Sequence, residues 1–189
     1  MPQKKKKQKQ KKDSILLGNG QHKAIAELKG VLVPNPDEPD NFTMILPDQS
    51  DLKVTVRNKK VLRGLKRSNA FGLNTYLGYP KVIQGKLDSL DLIAWGDRKL
   101  EPIKPEDTEC WEFVGVWSKN KELLVQRDVK MPFVQDAYQA TGKLFTYKFA
   151  FTNGDYYTMK KKLVANQLYC LKCIRKKGQL RIRQIINLS

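Results

Sequence analysis

The chain reads as a mainly β protein made of two tandem five-stranded barrels, the first carrying a short helix and the second an enlarged loop after its first strand. Three observations predict this. Apolar residues alternate at period two in several short segments, the spacing that puts every second side chain on one face of a strand. Glycines, prolines and Asn-Gly steps punctuate these segments at hairpin spacing. The punctuation and pattern of the first half then recur, weakly, in the second.

Met1 to Lys12 is a Lys/Gln tract that has nothing to bury, so residues 1–20 are expected to form a disordered basic arm. The first barrel is assigned to residues 21–97. From Lys23 to Val33 the pattern is strand-like, and three prolines between Pro34 and Pro39 break it. Phe42, Met44 and Leu46 alternate, residues 47–51 turn, and Leu52, Val54 and Val56 alternate again with Lys53, Thr55 and Arg57 on the opposite face. Val61, Leu62 and Leu65 have helical spacing among Lys59, Lys60, Arg63, Lys66 and Arg67, which predicts a short basic helix. Two strands, Tyr76 to Ile83 and Leu87 to Trp95, join around Gly85.

Strand, strand, strand, helix, strand, strand is the order of a partly open Greek-key barrel. Phe42-Thr-Met-Ile-Leu-Pro-Asp48, Leu52-Lys-Val-Thr-Val-Arg57, the basic segment and the closing Leu90-Asp-Leu-Ile93 resemble the OB-fold. They are similar in particular to the translation initiation factor 1 class, which binds the small ribosomal subunit. The resemblance covers under half of the chain, and it implies a non-catalytic RNA-binding role on a ribosomal particle.

Residues 98–109, with Pro102, Pro105 and mixed charges, read as a linker, and residues 110–189 as the second barrel, each half being expected to fold by itself. Glu112-Phe-Val-Gly-Val-Trp117 matches Glu27-Leu-Lys-Gly-Val-Leu32, and Tyr169 with Gly178 to Leu180 reproduces Tyr76 with Gly85 to Leu87. Phe145-Thr-Tyr-Lys-Phe149 is matched to Phe42 to Leu46. On that alignment residues 118–142 are the enlarged loop, a clamp or a plug, holding an extra strand at Leu123 to Arg127 and a turn of helix near Val134 to Ala140. Phe145, Tyr147, Phe149 and Phe151 then line the core face of a long hairpin turning at Asn153-Gly154. Its other face offers Thr146, Lys148 and one of Tyr156 and Tyr157, although a packed hairpin without a ligand fits the same pattern.

Net charge is +17, unevenly spread: the first twelve residues hold seven lysines and no acid, and no carboxylate side chain follows Asp155. A polyanionic partner follows from this. The candidate nucleic-acid contacts are Lys53, Arg57, Lys59, Lys60, Arg63, Lys66 and Arg67 in the first half. In the second they are Lys148, Tyr156, Tyr157, Lys160, Lys161, Lys162, Lys172, Arg175, Lys176, Lys177, Arg181 and Arg183. Cations attract phosphates and outward aromatics stack on unpaired bases. RNA is favoured over DNA. An adaptor docking an acidic protein and a single-stranded DNA-binding protein are the other readings.

Three cysteines, Cys110, Cys170 and Cys173, cannot pair completely, and residues three apart in a strand face opposite ways, so buried thiols are expected rather than zinc. No cofactor is called for. One histidine, no phosphate loop, no HExxH and no nucleophile elbow argue against an enzyme. Apolar runs are too short for a spanning helix or a secretory signal, which makes the cytoplasm the expected location.

Overall fold

The computed structural model describes residues 14–83, 86–151 and 163–189. It is mainly β, with strands β1 (Lys23–Pro34), β2 (Asn41–Ile45), β3 (Asp51–Thr55), β4 (Asn74–Ile83) and β5 (Lys86–Trp95) in the first half. The second half holds β6 (Glu109–Trp117), β7 (Glu122–Gln126), β8 (Thr146–Ala150), β9 (Leu168–Lys176) and β10 (Gln179–Asn187). Helix α1 (Lys59–Ser68) lies between β3 and β4, and α2 (Pro132–Thr141) between β7 and β8.

The strands form one sheet ordered β3-β2-β1-β4-β5-β10-β9-β6-β7-β8. Within the first half, β3 also pairs in parallel with β5, so β1, β2, β3, β5 and β4 close on themselves. Alternation drives the closure: Phe42, Met44, Leu52 and Val54 point inward with Leu28, Tyr76, Leu90 and Leu92, while Thr43, Lys53 and Ile45 stay outside. Asn58 caps α1 by accepting from the Lys60 and Val61 amides, and Leu65 plugs the helix onto the core. Gly64 is required there because a Cβ would run into the Trp95 ring.

The second half has the same strand order, β8-β7-β6-β9-β10, and this corrects the sequence alignment. The segment expected as an extra strand in an enlarged first loop is β7, paired with β6 at Val116↔Leu124 and with β8 along its length. It therefore holds the place of β2. Phe145 to Phe149, matched to β2 by its aromatic alternation, overlaps β8 and holds the place of β3. The connection between the first two strands is only residues 118–121, and the long one, carrying α2, follows β7. Backbone approach explains the pairing. A Cβ on Gly115 would strike the Leu124 carbonyl oxygen, just as one on Gly30 would strike that of Ile45, so each glycine admits the second strand of its own half.

The halves share the sheet. The start of β1 pairs with β6 in antiparallel register from Lys23↔Val114 to Leu28↔Glu109. At the middle of this seam Ala26 faces Trp111, its own counterpart in the matched Glu27 and Glu112 segments. A second meeting point, Lys86↔Gln179 at the tips of the β4–β5 and β9–β10 hairpins, again joins counterparts. Counterpart meeting counterpart at two seams means an internal twofold axis through both. One continuous core runs across it, from Phe42 and Met44 through Trp111 and Phe113 to Leu171 and Ile182.

Both faces of β6 are buried, which its apolar run anticipates. The outer face carries Val114, Val116, Leu168 and Cys170, with Leu16 packed on them. The expected disordered arm extended to residue 20, but residues 14–22 are tied to the end of β7. Gln126 Oε1 accepts from the Leu16 amide and from Asn19 Nδ2, and Val129 donates to Asn19 Oδ1. The linker is equally anchored. Glu27, 1% exposed, accepts from the Lys99 and Leu100 amides, and Arg98 Nε stands 3.2 Å from its other oxygen, off the line of a hydrogen bond. Tyr76 and Tyr169 are likewise buried counterparts with bonded hydroxyls, the first donating to Ala70 O and Gly72 O, the second to Gln167 Oε1. Burial pushes the Tyr76 hydroxyl up to about 12.

Among the described residues no helix is long and apolar enough to cross a membrane.

Candidate nucleic-acid interface

A cleft of about 490 Å³ opens on one side of the internal axis. Its first wall is β4, with Tyr79, Pro80, Lys81 and Val82, supported by Asp91 of β5 and by Arg57, which follows β3. Its second wall is the end of β7 and β8, with Gln126, Arg127, Asp128, Tyr147 and Lys148. Gly20, His22, Lys23 and Ala24 line the cleft between them.

The centre of the cleft is Arg127. Its guanidinium carbon lies 5.6 Å from the Tyr79 ring centroid and 5.6 Å from that of Tyr147, within cation–π range of both. The two rings come from different halves and are 41% and 48% exposed. Tyr79 faces out because Tyr76, Gly78 and Pro80 hold the inner positions of that stretch of β4. Tyr147 was expected on the core face with Phe145, Phe149 and Phe151. Phe149 and Phe151 are buried there, stacked obliquely and edge-on against Phe113, but Phe145 and Tyr147 are exposed. Phe145, which precedes β8, and Tyr147, near its start, lie outside the core cluster that Phe149 and Phe151 join, so alternation there does not select an apolar neighbour.

Charges in the cleft divide into two groups. Lys23 pairs with Glu112, Arg57 approaches Asp91 at 3.5 Å, and Lys81 approaches Asp88 at 3.4 Å. Arg127 and Lys148 have no carboxylate within ion-pair distance among the described residues. Asp128 Oδ1 accepts from the Lys130 amide. His22 borders the cleft. Its Nδ1 accepts from the Gln126 amide at 2.9 Å, so Nε2 carries the proton and donates to Leu17 O at 2.7 Å. Burial holds its pKa below the ordinary value, partly offset by the Leu17 carbonyl.

On the other side of the axis the counterparts of Arg127 and Val82 meet in an ion cluster, beside a smaller cavity of about 370 Å³ lined by Leu46, Pro47, Gln49 and Thr108 among others. Three residues beyond the strand contacts of Gly30 and Gly115, Asp48 answers to Arg127, while Arg175 answers to Val82, Lys172 to Tyr79 and Glu109 to Ala24. Arg175 Nη2 reaches Asp48 at 3.0 Å, and its guanidinium also binds Glu109, which accepts from Trp111 Nε1 at 2.9 Å. The side chain of Arg175 is only 7% exposed. Burial lowers its pKa, but the hydrogen bonds and charges of Glu109 and Asp48 outweigh this and raise it.

Of the sequence-predicted contacts, the structure brings Arg57 and Lys148 into the cleft. Lys59, Lys60, Arg63, Lys66 and Arg67 are exposed along α1, Lys53 on the outer face of β3, Lys176 and Lys177 at the β9–β10 tip, and Arg183 on β10. Arg181 is half-buried. Two calls are corrected as surface contacts: Arg175 is held in its ion pairs, and Lys172 is buried with its ammonium 3.1 Å from Glu101 O. Their acidic partners lie in distant segments. Tyr156, Tyr157, Lys160, Lys161, Lys162 and the Asn153-Gly154 turn lie outside the described residues. Tyr79, Lys81 and Arg127 were missed. The alternation of β4 carried the signal for Tyr79, whereas nothing local marks Arg127.

All three cysteines are buried, Cys170 on the outer face of the sheet and Cys173 in the core, opposite faces as their spacing requires. Burial, with Glu112 nearby, pushes the Cys110 thiol up to about 11. Among the described residues no cluster of three or more His, Cys, Asp and Glu could hold a metal.

No family model, curated protein or solved structure matches the chain.

Proposed function

We propose that the chain is a non-catalytic nucleic-acid-binding protein that takes single-stranded or unpaired RNA in the cleft between its halves, in the cytoplasm and on a ribosomal particle. The observation that carries the reading is the pairing of two half-exposed tyrosines, one from each half, with Arg127, which has no carboxylate within ion-pair distance among the described residues. Unpaired bases stack on such rings, and phosphates are drawn to such charges. The exposed cations of α1 begin two residues beyond Arg57 and extend the positive surface away from the cleft. The closed strand circuit of the first half, the same strand order in the second and the site on β7 and β8 together support two OB-type units, whose second and third strands and fourth-to-fifth loop are the usual oligonucleotide surface.

The test is equilibrium binding to labelled single-stranded RNA, single-stranded DNA of the same sequence, duplex RNA and polyglutamate at two salt concentrations. Preference for single-stranded RNA with a steep salt dependence is expected. Equal binding of polyglutamate would favour the adaptor reading instead.

A further inference from the structure

We infer that the unit recognised in the cleft is one unstacked dinucleotide step, its bridging phosphate on Arg127 and its two bases on Tyr79 and Tyr147. This rests on the nucleic-acid reading and specifies its ligand. Arg127 is equidistant from two half-exposed rings, which therefore lie at most twice 5.6 Å apart. Its guanidinium carries no carboxylate partner among the described residues, although it stands in a cleft where Lys23, Arg57 and Lys81 each have one. A planar donor fork without a counter-ion suits a phosphate, which accepts two parallel N–H bonds. Nucleosides on either side of that phosphate then reach one ring each. The bases of a duplex are stacked on both faces, so only an unpaired step can present two faces to two rings. Asp91 and Asp128 line the same cleft and oppose a longer run of phosphates, which limits the anionic part of the step to Arg127 and the neighbouring Lys148.

Titration calorimetry on the full chain with uridine, uridine monophosphate, UpU, UpUpU and inorganic phosphate tests this, alongside a twenty-nucleotide oligouridine. UpU is expected to bind at least about tenfold more tightly than the monophosphate, since a second base stack is gained. Arg127→Ala and Tyr147→Leu, checked by melting for intact folding, should each erase that gain, while Arg127→Lys should recover only part of it. The thymidine series distinguishes an RNA step from a DNA step. UpU no tighter than the monophosphate, or an Arg127→Ala protein that retains the parent's preference, overturns the dinucleotide step. If the long strand still binds the parent in that case, the broader reading survives on the basic surface. If the long strand binds no better than polyglutamate of equal charge, both fall.

Discussion

The two sides of the internal axis are built from counterpart strands, and they arrange their charges differently. On one side Asp48, Arg175 and Glu109 form an ion cluster in which Arg175 is buried and Asp48 is exposed, beside a cavity of about 370 Å³. On the other, Arg127 stands where Asp48 would be and Val82 where Arg175 would be, so Arg127 has no carboxylate within ion-pair distance among the described residues, and a larger cleft of about 490 Å³ opens there. Reversing the sign at one position removes the ion pair that its counterpart makes. Buried charges are tolerated only when paired, and an unpaired one is tolerated only where water or a ligand can reach it.

The largest expected effect lies at the ion cluster. Arg175→Met leaves Glu109 without its main partner and should cost about 3 kcal/mol in denaturant unfolding, with binding per folded molecule unchanged. A loss under about 1 kcal/mol would show that the cluster does not hold the seam. Next comes the open side, where Tyr79→Leu or Tyr147→Leu should weaken single-strand binding by about 1 to 3 kcal/mol per lost stack and change the melting temperature little. Unaltered titrations for both variants would remove the cleft from the interface. Smaller still, Arg57→Gln and Lys148→Gln should each flatten the slope of log K against log salt by about 0.7 if they meet phosphates. A salt titration at fixed temperature reads this directly.

The smallest effect is a pH dependence confined to the open side. His22 has a folded pKa below its ordinary value of 6.5, so the unfolded chain takes up the proton first. Its contribution to stability is complete above 6.5 and declines as the pH falls from there through the folded value, because protonated Nδ1 can no longer accept from Gln126. Melting from pH 7.5 to 5 should show this decline in the parent and less of it in His22→Gln. Equal slopes would place the acid sensitivity elsewhere.

Much of the first half is legible locally. Its five strands and helix follow from period-two and helical spacing between glycines and prolines, and the observed ends differ by a few residues at most. In the second half the same reasoning misplaced β7 and β8. Both are five residues long, and a short strand carries no local mark of the neighbour it will join. Four aromatics at period two looked like one buried face, but the core ends between Tyr147 and Phe149. The misread cations have the same cause: Arg175 finds Glu109 66 residues away and Asp48 127 residues away, and Lys172 finds Glu101 71 residues away.

By itself, then, the sequence determined the strand-forming segments, the side-chain parity within most of them, the weak duplication and the excess of positive charge. These depend on neighbours one to four residues apart, where backbone geometry settles which side chains share a face. Which strands adjoin, where the axis falls, which cations are neutralised and which side of the molecule holds the larger cleft were decided only by the tertiary structure. Each depends on pairing between segments far apart in the chain, at β1 with β6 and at Lys86 with Gln179, and the sign of one residue at such a seam outweighs the pattern around it.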